Sequence, residues 1–434
     1  FVVLLTNSVH PKLRAPITSL RGRVASAAAA GLRLTRLPGL DATTTRHRFS
    51  ATPARNSQNS VLTGIDVLMK ENFQTLRGKR VGFITNHTGI TRDGKRSVDA
   101  MIAAGVNVKA LYSPEHGIGG TEDREDIGSQ RDTATGLPIW SLYQAQNRRP
   151  TDEMLRDVDF LVFDIQDIGS RFYTYVCTMK NAMEEAAHRK IGFVVLDRPN
   201  PITGEHVEGP MLDPDAMSLT GCAEIPIRHG MTAGELAQMM NATLQPKADL
   251  RVIKMTGWHR SDWFDSTGLI WVNPSPNIRS LTAALFYPGI GMFEGGKVYS
   301  VGRGTDAPFE QIGADWIDGQ KLAQYLNARE VPGIRVYPAK LNPVSSNFEG
   351  KTIDGIRLVL TDRDSFNSVR FGTELGIALE KLFPGKMNWI ANGKLAGNQR
   401  FLSSLAKDDA AQIERDSESG LQSFKLRRAE FLLY

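Results

Sequence analysis

The stretch DFLVFDIQDIGSRFYTY, residues 159–175, decides the fold. Its apolar run Phe160-Leu161-Val162-Phe163 is too short for a helix and is bounded by polar residues, which predicts a buried strand. Where the run ends, Asp164, Gln166, Asp167, Arg171, Tyr173 and Tyr175 crowd together. In open α/β sheets, ligands sit outside the carboxyl ends of the strands, so these residues are candidates for the wall of a site. The plain alternative is a helix N-cap followed by a solvated loop.

The same pattern recurs on either side. A strand over 80–84 ends in Thr85, Asn86 and His87. A helix over 97–104, stopped by Gly105, leads to a strand over 108–112 that ends in Ser113-Pro114-Glu115-His116-Gly117. A polar loop runs to about Leu137, and a helix over 151–157 precedes the central stretch. After it come a helix over 178–190 and a strand over 192–196 that ends in Asp197-Arg198-Pro199-Asn200. Strand and helix alternate, which predicts an α/β fold: a Rossmann-like parallel sheet with helices on both faces. Polar ends on four strands at one sheet edge predict a site there.

Farther on, His229 stands just before a helix whose Thr232 and Glu235 fit a capping box. A strand over 250–255 leads to Trp258, Trp263 and Trp271, which suit either a sugar-stacking wall or a core. The glycine-dense stretch 287–305 holds Glu294 and Arg303. Such glycines let backbone approach a ligand closely, or form a hairpin with an incidental ion pair. From about residue 315 the texture becomes that of a smaller α+β domain, with helices over 319–328 and 373–382 and strands over 334–339 and 353–362. The tail, 424–434, is expected to pack back on the body. The expected division is a disordered basic segment at 1–58, a Rossmann-like domain at 59–283 and a smaller C-terminal domain at 284–434.

Composition narrows the function. Of the net charge of +5 over 434 residues, residues 1–58 carry +8, so the remainder is slightly acidic and a poor fit to nucleic acid. The basic segment has the composition of a targeting or transit segment. Cys177 and Cys222 are the only cysteines, which excludes a disulfide framework and leaves one bridge open. No apolar run reaches transmembrane length. The turn Thr85-Asn86-His87-Thr88-Gly89 lacks a dinucleotide fingerprint, and no P-loop, nucleophile elbow or zinc motif occurs. A dinucleotide is therefore not implied by the sheet, and no zinc site is expected. Carboxylates with Arg, Asn, Gln and Tyr remain, the inventory of a glycoside hydrolase and equally of a sugar-binding protein.

The ordered strings SPEHGIGG, FDIQDIGSRFYTY, VLDRPNPI, PIRHGMTAGEL, NPSPN, YPGIGMFEGG and SVGRGT resemble the exo-β-N-acetylmuramidase family of bacterial cell-wall recycling. The resemblance runs from about residue 64 to the terminal Phe-Leu-Leu-Tyr. It implies a Rossmann-like domain and a smaller C-terminal domain with the site in the cleft between them. It also implies cofactor-free release of N-acetylmuramic acid from the non-reducing end of peptidoglycan fragments, in an extracytoplasmic setting. Matched motif by motif, Glu115 is the expected general acid/base and Glu294 the second carboxylate. Asn86, His116, Asp164, Gln166, Arg171, Tyr175, Arg198, Asn200, His229 and Arg303 are expected around the sugar. One of Arg171, Arg198 and Arg303 is expected to pair with the lactyl carboxylate of muramic acid.

Overall fold

The computed structural model describes residues 60–124, 126–407 and 409–434. Residues 1–58, expected to be disordered, lie outside these. The first half contains α1 (Gly64–Lys70), β1 (Arg80–Thr85), α2 (Ser97–Ala103), β2 (Asn107–Ser113), β3 (Gln130–Arg131) and β4 (Pro138–Ser141). It continues with α3 (Asp152–Leu155), β5 (Phe160–Asp164), α4 (Tyr175–Arg189), β6 (Gly192–Leu196), β7 (Glu208–Met211), β8 (Pro226–Arg228), α5 (Ala233–Thr243) and β9 (Leu250–Ile253). The sheet order is β3-β4-β2-β1-β5-β6-β9, and only β3–β4 pairs antiparallel. This is the Rossmann-like sheet that the alternation predicted.

Strand β5 is buried along its whole length. Its side chains alternate between two cores, as the pleat requires. Phe160 and Val162 meet Ile65, Leu68, Val98 and Met101 of α1 and α2 on one face. Leu161 and Phe163 meet Met179 and Met183 of α4 and Leu236 and Met240 of α5 on the other. Thr232 and Glu235 form the expected capping box at α5.

The second half contains α6 (Leu281–Ile290), β10 (Gln311–Ala314), α7 (Gly319–Asn327), β11 (Ile334–Leu341), β12 (Ile353–Leu360), α8 (Ser368–Leu382), α9 (Gly393–Ala396), α10 (Gln399–Ser404) and α11 (Ala410–Ala429). Its three strands form an antiparallel sheet in the order β10-β12-β11. Among the described residues, no helix is long and apolar enough to cross a membrane.

Several elements differ from expectation. Strand β4, just beyond the expected loop and not foreseen as a strand, pairs with β2, and its Ile139 turns into the core. Helix α4 starts at Tyr175 and α8 at Ser368, each earlier than expected. The glycine-dense stretch is no hairpin. Ser280 caps α6 by accepting the Ala283 N–H at 2.9 Å, and a 3₁₀ turn, Gly291–Gly296, follows it. At Gly289 the absent side chain admits the α8 backbone at Ser368. The three tryptophans serve packing rather than a stacking wall. Trp258 is buried against Tyr434 with ring centroids 5.2 Å apart, Trp263 donates to Asp364 at 2.8 Å, and Trp271 meets Phe264 edge-on at 5.1 Å.

One continuous apolar core joins the two halves, with Phe172 4.9 Å and Phe309 4.7 Å from Tyr287 between ring centroids. The tail does fold back: the Tyr434 hydroxyl donates to Asp197 at 2.7 Å. Cys177 of α4 and Cys222 form a disulfide with Cα atoms 5.6 Å apart.

Candidate active site

Glu115 emerges from the carboxyl end of β2, where the chain turns sharply. His116 adopts a left-handed conformation (φ 68°), unusual for a residue with a side chain, and its Nδ1 lies 2.7 Å from the Glu122 carbonyl oxygen. Glu115 Oε1 accepts a hydrogen bond from the Tyr143 hydroxyl at 2.6 Å, and Oε2 accepts one from the Thr174 hydroxyl. Thr174 occupies the N-cap position of α4 but makes no side-chain cap bond. Its hydroxyl serves the carboxylate instead, which places a negative charge at the N-terminal, positive end of the α4 dipole. Tyr143 lies just beyond β4, with the Arg148 guanidinium carbon 3.8 Å from its ring centroid. Burial, reinforced by the Glu115 charge, pushes the Tyr143 phenol up to about 12, so it remains a neutral donor.

Beside Glu115 the wall is aromatic. Tyr173 and Tyr175 meet edge-on at 4.8 Å, and Tyr173 meets Tyr287 at 6.0 Å. Tyr175 donates to the Pro274 carbonyl oxygen at 2.6 Å. Burial raises all three phenols, and the Glu115 charge raises each further. The Glu294 charge also acts on Tyr287, so this ring lies within reach of both carboxylates. Glu294 stands on the turn after α6 and is gripped at two points by Arg303, with Nε to Oε2 and Nη2 to Oε1 both at 2.9 Å. Burial works against the Arg303 charge, but Glu294 outweighs it and the guanidinium is held more firmly protonated than usual. Asp123, on the loop that follows His116, lies 3.9 Å from Arg303 and accepts from Asn277 at 3.1 Å. That loop therefore runs from the first half toward the second.

Behind Tyr173 is a buried pair. Asp167 Oδ2 accepts the Gly169 N–H at 2.7 Å and lies 3.8 Å from His229 Nε2. His229 Nδ1 accepts the Met231 N–H at 3.2 Å, which puts the ring proton on Nε2, toward Asp167. Burial pushes Asp167 up to about 7. Burial, with the charges of Arg428, Arg171 and Arg228, pushes His229 down to about 3.

The remaining expected residues divide. Asn86 accepts the Thr88 N–H at 2.9 Å and hydroxyl at 2.6 Å, and its amide acts on Tyr175. Asp164 and Arg198 form a buried ion pair at 2.6 Å, and Arg198 also donates to the Ile90 carbonyl oxygen at 2.8 Å. This pair ties the ends of β5 and β6 together. In three others the side chains are engaged with backbone. Gln166 donates to the carbonyl oxygens of Asp167 at 2.7 Å and Pro199 at 2.8 Å. Asn200 bridges the Ile202 N–H at 3.1 Å and the Met231 carbonyl oxygen at 3.0 Å. Arg171 points away from Glu115 and donates to the carbonyl oxygens of Pro210, Ile225, Leu395 and Ala396. These carbonyls take up both Nη groups of the buried guanidinium, while its Nε is buried without a partner.

Tyr143, Thr174, Arg148 and Asp123 escape the sequence pattern. Only Thr174 left a signal, as a cap-type residue ahead of a helix. Among the described residues, no group of three His, Cys, Asp or Glu is placed to hold a metal ion.

Residues 81–282 match the family model described as exo-beta-N-acetylmuramidase NamZ, N-terminal, and residues 285–434 match its C-terminal counterpart. Peptidoglycan beta-N-acetylmuramidase NamZ of Bacillus subtilis (strain 168) is 41% identical over 395 residues, which cover 89% of this chain and 95% of that protein. Two DUF1343 family crystal structures from Bacteroides fragilis NCTC 9343 are similar. One has a TM-score of 0.79 at 34% identity, covering 87% of this chain and 100% of its own. The other has a TM-score of 0.71 at 29% identity, covering 86% and 99%.

Proposed function

The chain belongs to the exo-β-N-acetylmuramidase family, and on that premise we propose that it is an exo-acting glycoside hydrolase that releases N-acetylmuramic acid from the non-reducing end of peptidoglycan fragments. The observation that carries this reading is the setting of Glu115, a half-buried carboxyl group held by two hydroxyls at a strand end beside an aromatic wall.

Cleaving a glycosidic bond requires a proton for the leaving oxygen, and later a base to activate water. A hydroxyl either donates to a carboxylate or rotates to accept from a carboxyl group. Tyr143 and Thr174 therefore hold Glu115 in place in both of its protonation states. Glu294, fixed in orientation by Arg303, is the second carboxylate. Tyr173, Tyr175 and Tyr287 are buried behind this end of the sheet and form the rigid backing of the site. A peptidoglycan substrate and the Cys177–Cys222 bridge, which suits an oxidising compartment, together favour work outside the cytoplasm, periplasmic or secreted.

The test is turnover of the disaccharide N-acetylmuramyl-β-1,4-N-acetylglucosamine, whose leaving alcohol needs the proton, by wild type and Glu115→Gln. Wild type is expected to release N-acetylmuramic acid, and the variant to lose about 10²–10⁴-fold in kcat with binding retained. Wild type that binds the disaccharide without cleaving it would make the protein a sugar-binding module. A variant with wild-type kcat would remove Glu115 from the acid's role.

A further inference from the structure

The sugar released in this reaction differs from N-acetylglucosamine by one group, a lactyl ether ending in a carboxylate. Selecting for that group requires a cation with donors to spare. The three arginines marked by the sequence are engaged: Arg171 by carbonyl oxygens at both Nη groups, with only its Nε unmatched, Arg198 by Asp164 and Ile90, and Arg303 by Glu294 at two points.

Arg148 instead holds no carboxylate among the described residues and acts only on the Tyr143 phenol. Its guanidinium lies over the Tyr143 ring, and its Nη1 is buried with no hydrogen-bond partner. The adjacent Arg149 pairs with Glu184 at 2.6 Å and Glu185 at 3.3 Å, whereas Arg148 has no ion pair among the described residues. A charged donor that is buried and unmatched is costly to keep, and an anionic ligand would satisfy it. Stacking on the ring fixes the guanidinium plane and leaves its edges for a planar carboxylate. The placement is also apt. The Tyr143 hydroxyl donates to Glu115, so Arg148 stands one aromatic ring away from the proposed acid. In the sugar, the carbon bearing the leaving oxygen and the carbon bearing the lactyl ether are separated by a single ring carbon.

We propose that Arg148 binds the lactyl carboxylate and makes the site selective for muramyl over glucosaminyl ends, a proposal that rests on the muramidase reading above. The rival role for Arg148 is a passive buttress that holds Tyr143 against Glu115.

Comparing 4-nitrophenyl β-N-acetylmuramide with its lactyl methyl ester separates the two roles, because the ester removes the charge and leaves the rest of the sugar intact. The full chain is expected to prefer the acid by about 10–100-fold in kcat/KM, chiefly through KM. In Arg148→Met that preference is expected to vanish, and in Arg148→Lys part of it is expected to return. Arg148→Gln carries the same comparison if Arg148→Met does not fold. A preference that survives in Arg148→Met, with both substrates slowed by one factor, would overturn the assignment and leave Arg148 a buttress. Wild type that hydrolyses neither compound would sink the muramidase reading, and this inference with it. Turnover by wild type with the preference intact in the variants would sink the Arg148 assignment alone.

Discussion

At the scale of single residues, Asp167 is the carboxyl group whose surroundings most alter its chemistry. It is 7% exposed, faces His229 and Tyr173, and receives the N–H groups of Ile168 and Gly169. Burial outweighs those N–H groups and moves it from the ordinary 3.8 to about 7. An acid raised in this way is compatible with the native state while neutral. Its contribution is therefore complete below the unfolded value and is lost as pH rises through about 7. At about 1.4 kcal/mol per tenfold change in proton affinity, the loss reaches up to about 4 kcal/mol. Asp167→Asn keeps an acceptor for the Gly169 N–H and removes the titration. Thermal unfolding at about pH 5 and about pH 8 should show a smaller drop in Tm for the variant than for wild type. An unchanged drop would mean that some other group titrates.

At the scale of elements, the crossing of α6 and α8 sets the position of Glu294. A side chain on Gly289 would put its Cβ 2.0 Å from the Ser368 carbonyl oxygen, and one on Gly372 would lie 2.1 Å from the Gly289 carbonyl oxygen. The two backbones are in direct contact, and the Gly289 N–H donates to the Ser368 hydroxyl at 3.0 Å. Helix α6 runs straight into the turn that carries Glu294. Gly372→Ala is expected to destabilise the protein by about 1–3 kcal/mol in urea denaturation, because rigid backbone has to move. Gly393→Ala in α9, where nothing lies within 4 Å, should instead be neutral or stabilising by up to about 1 kcal/mol. Equal effects at the two positions would contradict the crossing argument. Helix α4 makes a related point: its Thr174 forgoes the local cap and bonds Glu115, so the element's end belongs to the site.

At the scale of the whole molecule, the C-terminal tail latches the second half onto the first. The Tyr434 hydroxyl donates to Asp197, which also accepts from the Thr232 hydroxyl at 2.7 Å and the Gly234 N–H at 2.8 Å. Leu433 N–H reaches Glu235 at 2.9 Å, and Arg428 reaches the carbonyl oxygens of Gly204 and Gly230, both at 3.0 Å. Burial pushes Asp197 up to about 6, and the bonds from Thr232, Gly234 and Tyr434 oppose that rise. Tyr434→Phe removes one donor to the ionised form. The expected cost is about 1.5–3 kcal/mol at about pH 8, and less at about pH 5, where the carboxyl group is largely neutral. Urea unfolding at the two pH values checks both size and sign. A cost independent of pH would show that the ring, stacked edge-on against Trp258, matters more than the hydroxyl.

The sequence by itself determined the parallel sheet, the carboxyl ends of its strands as the place of the site, and the Thr232–Glu235 cap. Each depends on local spacing: the apolar run of β5, the alternation of strand and helix, and a cap box four residues long. It also singled out Glu115 and Glu294 by motif. What the tertiary structure alone decided is which groups meet. Tyr143 and Thr174 lie 28 and 59 residues from Glu115 along the chain. Arg171, which looks in sequence like a ligand for an anion, is engaged with carbonyl oxygens as far as 225 residues away. Arg148, in a stretch that carries no motif, keeps a buried Nη1 unmatched one aromatic ring from the acid. A local pattern specifies where backbone hydrogen bonds and apolar faces go. Whether a buried polar atom is satisfied depends on neighbours brought in from distant parts of the chain, and only the folded arrangement supplies those.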